Sequence, residues 1–271
     1  AGIGSGYGIP RLETRWHSLT TPDTMGNEER EALHLTEWRL PLRELSPPTP
    51  GTAHLWLLDL AGLGSPLQPE LDLSDAPLPV RQRRTLRRFY LRLLLGAYLD
   101  LPGKDVQLVR GDRGKPVLNP EAHDSELDFS MAASGGHCLI GVTSGSVIGV
   151  DLEPRGRTAG KPLALARRYF SPSEYEALAR EPETQRDDAF LHTWACKEAV
   201  VKAGGMGIAN MLCRFSVEVR PDRPSAILAM DGDEAAAWQL RSVVLPGGWV
   251  GAVTVRYPEL TLEGRSLLPR S

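Results

Sequence analysis

Cysteine is scarce in this chain. Cys138, Cys196 and Cys213 are the only three in 271 residues, and no Cys-x-x-Cys spacing occurs. That argues against a disulfide framework or a zinc site and for a reducing compartment, so a cytoplasmic location is expected. Charge of one sign is also missing: 31 Lys and Arg against 34 Asp and Glu leave a formal net charge of −3. No global basic field points to nucleic acid, and no apolar run approaches the length of a membrane span. The six histidines are scattered without ligand spacing. Phosphate-binding Gly-x-x-x-x-Gly-Lys-Ser/Thr, dinucleotide-binding Gly-x-Gly-x-x-Gly between strand and helix, and the Gly-x-Ser-x-Gly elbow are all lacking. The first ten residues have neither the basic start nor the apolar core of a signal peptide and read as a flexible tail.

What is present is an ordinary globular composition, long enough for two small domains or one large one. Residues 1–50 are weakly patterned, with one short helix near 27–35 and a stiff link at Pro47, Pro48 and Pro50. A short apolar run over 54–60 predicts a buried strand. Residues 80–99 predict the strongest helix of the first half, with Leu86, Phe89, Tyr90, Leu93 and Ala97 on one side. Arg81, Arg84, Arg88 and Arg92 lie opposite, as a solvated face or an anion-binding one. In the second half, strands over 138–143 and 147–152 flank Ser144-Gly145-Ser146, which predicts a type II′ hairpin. Helices follow over 163–169, from Ser171 with a capping box closed by Glu174, and from about 187 to the glycines at 204 and 205. Alternating segments after 215 predict further strands. The expected division is an extension (1–50), an N-terminal subdomain (51–119), a C-terminal subdomain (120–258) and a tail (259–271).

Two acidic clusters carry the chemistry. Asp151 and Glu153 are two apart on a strand, so both carboxylates leave one face of the pleat. Glu198 and Lys202, about 45 residues further on, are four apart on a helix and share a face. Each cluster also has a plain structural reading: a strand end emerging into solvent, and an i,i+4 ion pair decorating a helix. If the elements pack together, three carboxylates meet, and they repel unless a cation lies among them. Oxygen-only ligands suit Mg²⁺.

Taken in order, Gly149-Val150-Asp151-Leu152-Glu153 and Trp194-Ala195-Cys196-Lys197-Glu198-Ala199-Val200-Val201-Lys202 closely resemble the signature of Sfp-type 4′-phosphopantetheinyl transferases. Gly114-Lys115-Pro116 and the segment Ala166-Arg167-Arg168-Tyr169-Phe170-Ser171-Pro172-Ser173-Glu174-Tyr175 match two further motifs of that family. The resemblance implies an α+β (α/β) pseudo-dimer of two similar subdomains, each a small antiparallel sheet packed on a long helix. It implies coenzyme A as co-substrate, Mg²⁺ (Mn²⁺ as an alternative), and an apo acyl or peptidyl carrier protein as partner, with a monomeric state; charge and hydropathy add the expectation of no nucleic acid and no membrane. By motif position, Asp151, Glu153 and Glu198 would be the metal ligands. Glu198, Lys202 and Asp151 would be catalytic. Lys115, Gly114, Pro116, Arg83, Arg88, Ser134, Lys197 and Lys202 would bind coenzyme A. One segment departs from the family: Phe129-Ser130-Met131-Ala132-Ala133-Ser134 has two alanines where Ser and His usually contact phosphate. A catalytically silent coenzyme A- or carrier-binding homologue, or a Mg²⁺-dependent nucleotide diphosphate hydrolase, are the alternatives.

Overall fold

The computed structural model of the chain describes residues 32–64, 79–111, 114–205 and 212–270. Its organisation begins with β2 (Thr52–Asp59), whose apolar run is continuous because both faces are covered. β2 lies in a five-stranded sheet of order β1 (Leu35–Arg39), β12 (Thr261–Leu268), β2, β6 (His137–Ser144) and β5 (Leu127–Ser134). On one face, Trp56 and Leu58 pack with Leu86, Tyr90, Leu94 and Leu95 of helix α2 (Val80–Leu99). On the other, Ala53, Leu55 and Leu57 meet Ile148, Val150 and Leu152 of β7 (Ile148–Pro154) and Val253 and Val255 of β11 (Trp249–Val255). β7, β11 and β10 (Gln239–Leu245) form a three-stranded antiparallel sheet, covered on its far side by α5 (Glu183–Ala203). The layers therefore run helix, sheet, sheet, helix, a mixed α+β architecture.

Shorter elements brace this stack. The one-turn α1 (Leu60–Leu63) is capped by the Asp59 carboxylate, and β3 (Leu108–Arg110) pairs with β4 (Pro116–Leu118) as a hairpin. α3 (Pro162–Tyr169) and α4 (Pro172–Arg180) pack beside α5, and β8 (Phe215–Val217) pairs with β9 (Ile227–Met230). The predicted capping box is present: Ser171 Oγ accepts from Glu174 N, and Glu174 Oε2 accepts from Ser171 N.

Several expectations are corrected. Residues 259–271, set aside as a tail, supply β12, which lies between β1 and β2 in the first sheet, parallel to both. That sheet is therefore mixed rather than antiparallel. Residues 35–39, placed in the extension, are its edge strand β1. The expected helix near 27–35 falls mostly outside the described residues, and Leu35 opens β1. The boundary at 119 and 120 also fails, because β5 and β6 hydrogen-bond into the sheet that holds β2.

The hairpin over 138–152 does not form. β6 pairs with β5 and β2, whereas β7 pairs with β11, so Gly145 (φ 68°) turns the chain from one sheet to the other. Side chains of β5 stand in for the missing ladder: Asp128 Oδ2 accepts from Ile148 N, and Ser130 Oγ accepts from Val150 N. On α2, Phe89 is 37 % exposed rather than buried, and Arg92 donates to Val106 O rather than lying in solvent.

At the end of α2 the first sheet holds a buried polar cluster. Arg265 Nη2 donates to His54 Nε2 (3.0 Å), so the His54 Nδ1–H donates to Tyr98 Oη (2.8 Å), which also accepts from Trp56 Nε1 (2.8 Å). Burial, reinforced by the Arg265 charge, lowers the His54 pKa to about 4. A histidine held neutral in the fold contributes stability that is present above its ordinary value and lost as pH falls toward the folded one. Between pH 7 and pH 4 the chain is expected to lose about 3 kcal/mol more unfolding free energy than its His54→Gln variant, measured by denaturant titration at both values. Equal losses would show that His54 does not couple folding to protonation.

Candidate active site

Glycine 149 determines how the two acidic clusters meet. A Cβ placed there would lie 1.9 Å from Ala199 O and 2.4 Å from Ala203 N. The backbones of β7 and α5 touch at this point, which only a residue without a side chain permits. The contact sets Asp151 and Glu153, further along β7, beside Glu198 and Lys202 on the facing side of the helix. α5 begins at Glu183, four residues before the expected start, and from Ala189 to Ala203 it is buried almost throughout.

Neither cluster keeps its plain structural reading. Asp151 is 7 % and Glu198 5 % exposed, so the strand does not emerge into solvent there. Lys202 Nζ donates to Asp151 Oδ1 across the strand–helix contact at 2.6 Å, rather than decorating its own helix with Glu198. Burial would lower the Lys202 pKa, but the charges of Asp151 and Glu198 outweigh it and hold the ammonium above its ordinary value. Burial, then the charge of Asp151, pushes both Glu153 and Glu198 up to about 7. Glu153 in turn accepts from Arg157 Nη1 at 2.7 Å.

The donor chemistry of this cluster fits a hard divalent cation. Asp151 Oδ2 and Glu198 Oε1 are buried oxygens without a hydrogen-bond partner, a costly state that a cation would relieve. Among the described residues, no three His, Cys, Asp or Glu side chains are gathered as a ready set of ligands. Asp151 is instead turned to Lys202 and Glu153 to Arg157. These two cations offset two of the three carboxylates.

Lys197 is a correction. Expected to bind coenzyme A, it is fully buried on another side of α5, with its ammonium hydrogens directed to Glu174 Oε1 and Oε2 (both 2.7 Å) and Phe215 O (2.6 Å). Glu174 Oε1 also accepts from Val217 N, so this pair ties α4, α5 and β8 together behind the site. No donor is left for a ligand. Lys115 donates to Asp128 Oδ2 and Ile148 O, linking the turn before β4 to the start of β7. Arg83 Nη1 donates to Gly135 O (2.9 Å), beside Ser134, while Arg88 is exposed further along α2. Ala132 packs in the core between the sheets, and Ala133 faces the core under α2. Gly114 takes a φ of 87° before Pro116, as a turn glycine does.

Three site features escape sequence reasoning. The Glu174–Lys197 pair joins residues 23 apart with no shared periodicity, and the Asp128–Lys115 and Ser130–Val150 links depend on a strand placement not foreseen. Arg157 had one usable signal, its position four residues after Glu153 in a turn-rich segment.

Residues 147–254 match the family model of the 4′-phosphopantetheinyl transferase superfamily. The chain is 33% identical to the 4′-phosphopantetheinyl transferase HetI of Nostoc sp. over 218 residues, covering 74% of this chain and 86% of HetI. It is 28% identical to the transferase Sfp of Bacillus subtilis over 192 residues, 66% and 82% of the two chains. Against the human L-aminoadipate-semialdehyde dehydrogenase-phosphopantetheinyl transferase the identity is 24% over 186 residues, 64% and 60% of the two.

The buried ion pair makes a direct prediction. Lys197→Met leaves the Glu174 carboxylate buried without its cation and should cost about 3–5 kcal/mol of unfolding free energy. Adding Glu174→Gln should recover part of that loss in the double variant. Strictly additive losses in denaturant titrations would mean that the two side chains do not act as a pair.

Proposed function

The chain belongs to the 4′-phosphopantetheinyl transferase superfamily, and on that footing we propose how its residues perform the transfer. The protein is a 4′-phosphopantetheinyl transferase. In this reading it moves the phosphopantetheine arm of coenzyme A onto a serine hydroxyl of an apo acyl or peptidyl carrier protein and releases 3′,5′-ADP. The observation that carries the reading is the convergence of Asp151, Glu153, Glu198 and Lys202 at one strand–helix contact, with two buried carboxylate oxygens unpartnered.

Asp151, Glu153 and Glu198 would hold Mg²⁺, with Mn²⁺ as a substitute. When bound, the ion offsets the charge of the diphosphate. The remaining work belongs to the side chains. Glu198, buried beside Asp151 and Lys202, is placed to accept the serine proton, directly or through a water. The serine oxygen bonds to the phosphorus that bears the pantetheine arm. The bond from that phosphorus to the bridging oxygen breaks, and the electron pair leaves with 3′,5′-ADP. Lys202, held cationic by its neighbours, donates to the phosphate oxygens on which charge grows. Lys115, Gly114 and Pro116 flank the nucleotide end. Two of the three Lys115 donors are already engaged, so it contributes one hydrogen bond and a local positive charge. Ser134 with Arg83 at the β5–β6 turn, or Arg88 further along α2, meets the remaining phosphate in place of the side chains that Ala132 and Ala133 lack.

The layered arrangement supports a pseudo-dimer: one sheet with α2 and one sheet with α5, joined through their inner faces. Such a chain already contains the interface that a dimer would provide, so it acts as a monomer. Among the described residues no helix is long and apolar enough to cross a membrane. With all three cysteines free, action in the cytoplasm fits. Carrier recognition uses the segment 171–175, where Pro172 and Ser173 are exposed, together with 204–211, of which 206–211 lie outside the described residues.

Incubating the protein with coenzyme A, Mg²⁺ and an apo carrier, then weighing the carrier, tests the reading. The carrier should gain the mass of the phosphopantetheine arm, and Glu198→Gln should slow the gain by at least about 10²-fold with the fold intact. Coenzyme A binding without transfer to several carriers would favour a silent homologue. Cleavage of coenzyme A without a carrier would favour a hydrolase.

A further inference from the structure

His137 has no place in the roles above, yet the fold sets it at a turn where other polar groups gather. It opens β6 directly opposite Ser134, the last residue of β5, across the tight turn of Gly135 and Gly136. Gly135 takes a φ of 54°, and neither glycine has a side chain to cover the two residues that flank them. The His137 ring is half-buried against the Trp249 indole, with centroids 4.7 Å apart. Trp249 opens β11 opposite Pro154, one residue beyond Glu153, so the turn lies at the acidic end of β7. From the other side, Arg83 of α2 donates Nη1 to Gly135 O.

This neighbourhood suits an anion. Cys138, the residue after His137, feels the positive charges of both Arg87 on α2 and Lys202 on α5. Neither the His137 ring nitrogens nor the Ser134 hydroxyl has a hydrogen-bond partner among the described residues. Burial lowers the His137 pKa against the opposing charge of Asp59 on β2, so at neutral pH the ring is neutral and donates a single N–H. The Asp59 carboxylate is itself engaged in capping α1. With the diphosphate of coenzyme A at the carboxylate cluster, one charged group of that ligand is left over. The released 3′,5′-ADP carries a monoester phosphate on its ribose, which bears close to two negative charges near neutral pH.

Resting on the transferase reading above, we infer that His137 is a specificity-determining ligand of this monoester phosphate, binding it together with Ser134 and Arg83. The stack on Trp249 orders the imidazole before the ligand arrives, so little side-chain freedom is lost on binding. The assignment selects Arg83 over Arg88, which is exposed further along α2.

Isothermal titration of the full chain with coenzyme A and with 3′-dephospho-coenzyme A, both at saturating Mg²⁺, tests this without turnover. The parent should bind coenzyme A at least about tenfold more tightly than the dephospho compound. His137→Ala should weaken coenzyme A by about tenfold and leave the dephospho compound unchanged, because a bond to the charged group is lost only where that group exists. His137→Phe keeps a ring on Trp249 without a nitrogen and should behave as His137→Ala does. Parent-like coenzyme A affinity in His137→Phe would assign the ring to packing and overturn the proposal. Undiminished coenzyme A affinity in His137→Ala, or equal weakening of both compounds, would overturn it as well and leave the transferase reading intact. So would a parent that binds the two compounds equally. A parent that binds neither compound would remove the transferase reading, and this proposal with it.

Discussion

Everything at the site depends on one backbone contact. β7 and α5 approach so closely at Gly149 that the Ala199 carbonyl occupies the space of a Cβ. Helices and sheets ordinarily keep their distance through intervening side chains, and here none intervenes. The contact converts two motifs that are remote in sequence into one cluster. It also accounts for the burial of Glu198 and Asp151, which lie beside the contact. The Glu174–Lys197 pair secures the same helix from behind, so α5 is fixed on two sides with its acidic face toward β7.

Such closeness has an electrostatic consequence. Burial and the charge of Asp151 push Glu153 and Glu198 toward their neutral forms, and Glu153 adds to the effect on Glu198. Lys202 and Arg157 hold the cluster together without a metal, each paired with a different carboxylate. Two buried oxygens still lack partners, and on the proposed reading they are where a cation would bind. Binding and chemistry would then draw on the same few charges, which suits phosphoryl transfer, where positioning and charge neutralisation matter more than covalent assistance.

Much of this was legible in the sequence, for identifiable reasons. α2, the capping box at Ser171 and the strand cores of β2, β6, β7, β10 and β11 follow from local periodicity and capping chemistry, which tertiary packing here reinforces. Asp151, Glu153, Glu198 and Lys202 were found by spacing within each element, although spacing alone could not say that the elements meet. The failures are long-range ones. Nothing local in residues 261–268 shows that they insert between β1 and β2, and the turn at Gly145 suits a hairpin as well as a crossing between sheets. Lys197, expected to bind coenzyme A by its motif position, instead meets in space a glutamate 23 residues earlier, which no local pattern reveals. The one-residue offset from Glu198 turns it to a different side of the helix.

Replacing Gly149 by alanine tests the central dependence most directly. The added methyl must push α5 from β7 by more than an ångström, displacing Glu198 and Lys202 from Asp151 and Glu153. The measurement is single-turnover transfer to an apo carrier at saturating coenzyme A and Mg²⁺, at a temperature where parent and variant both show intact folded near-UV spectra. A fall of about 10²-fold is predicted, the cost of misplacing reacting groups by roughly that distance. A folded Gly149→Ala protein that transfers at the parent rate would contradict the claim that this contact sets the catalytic geometry.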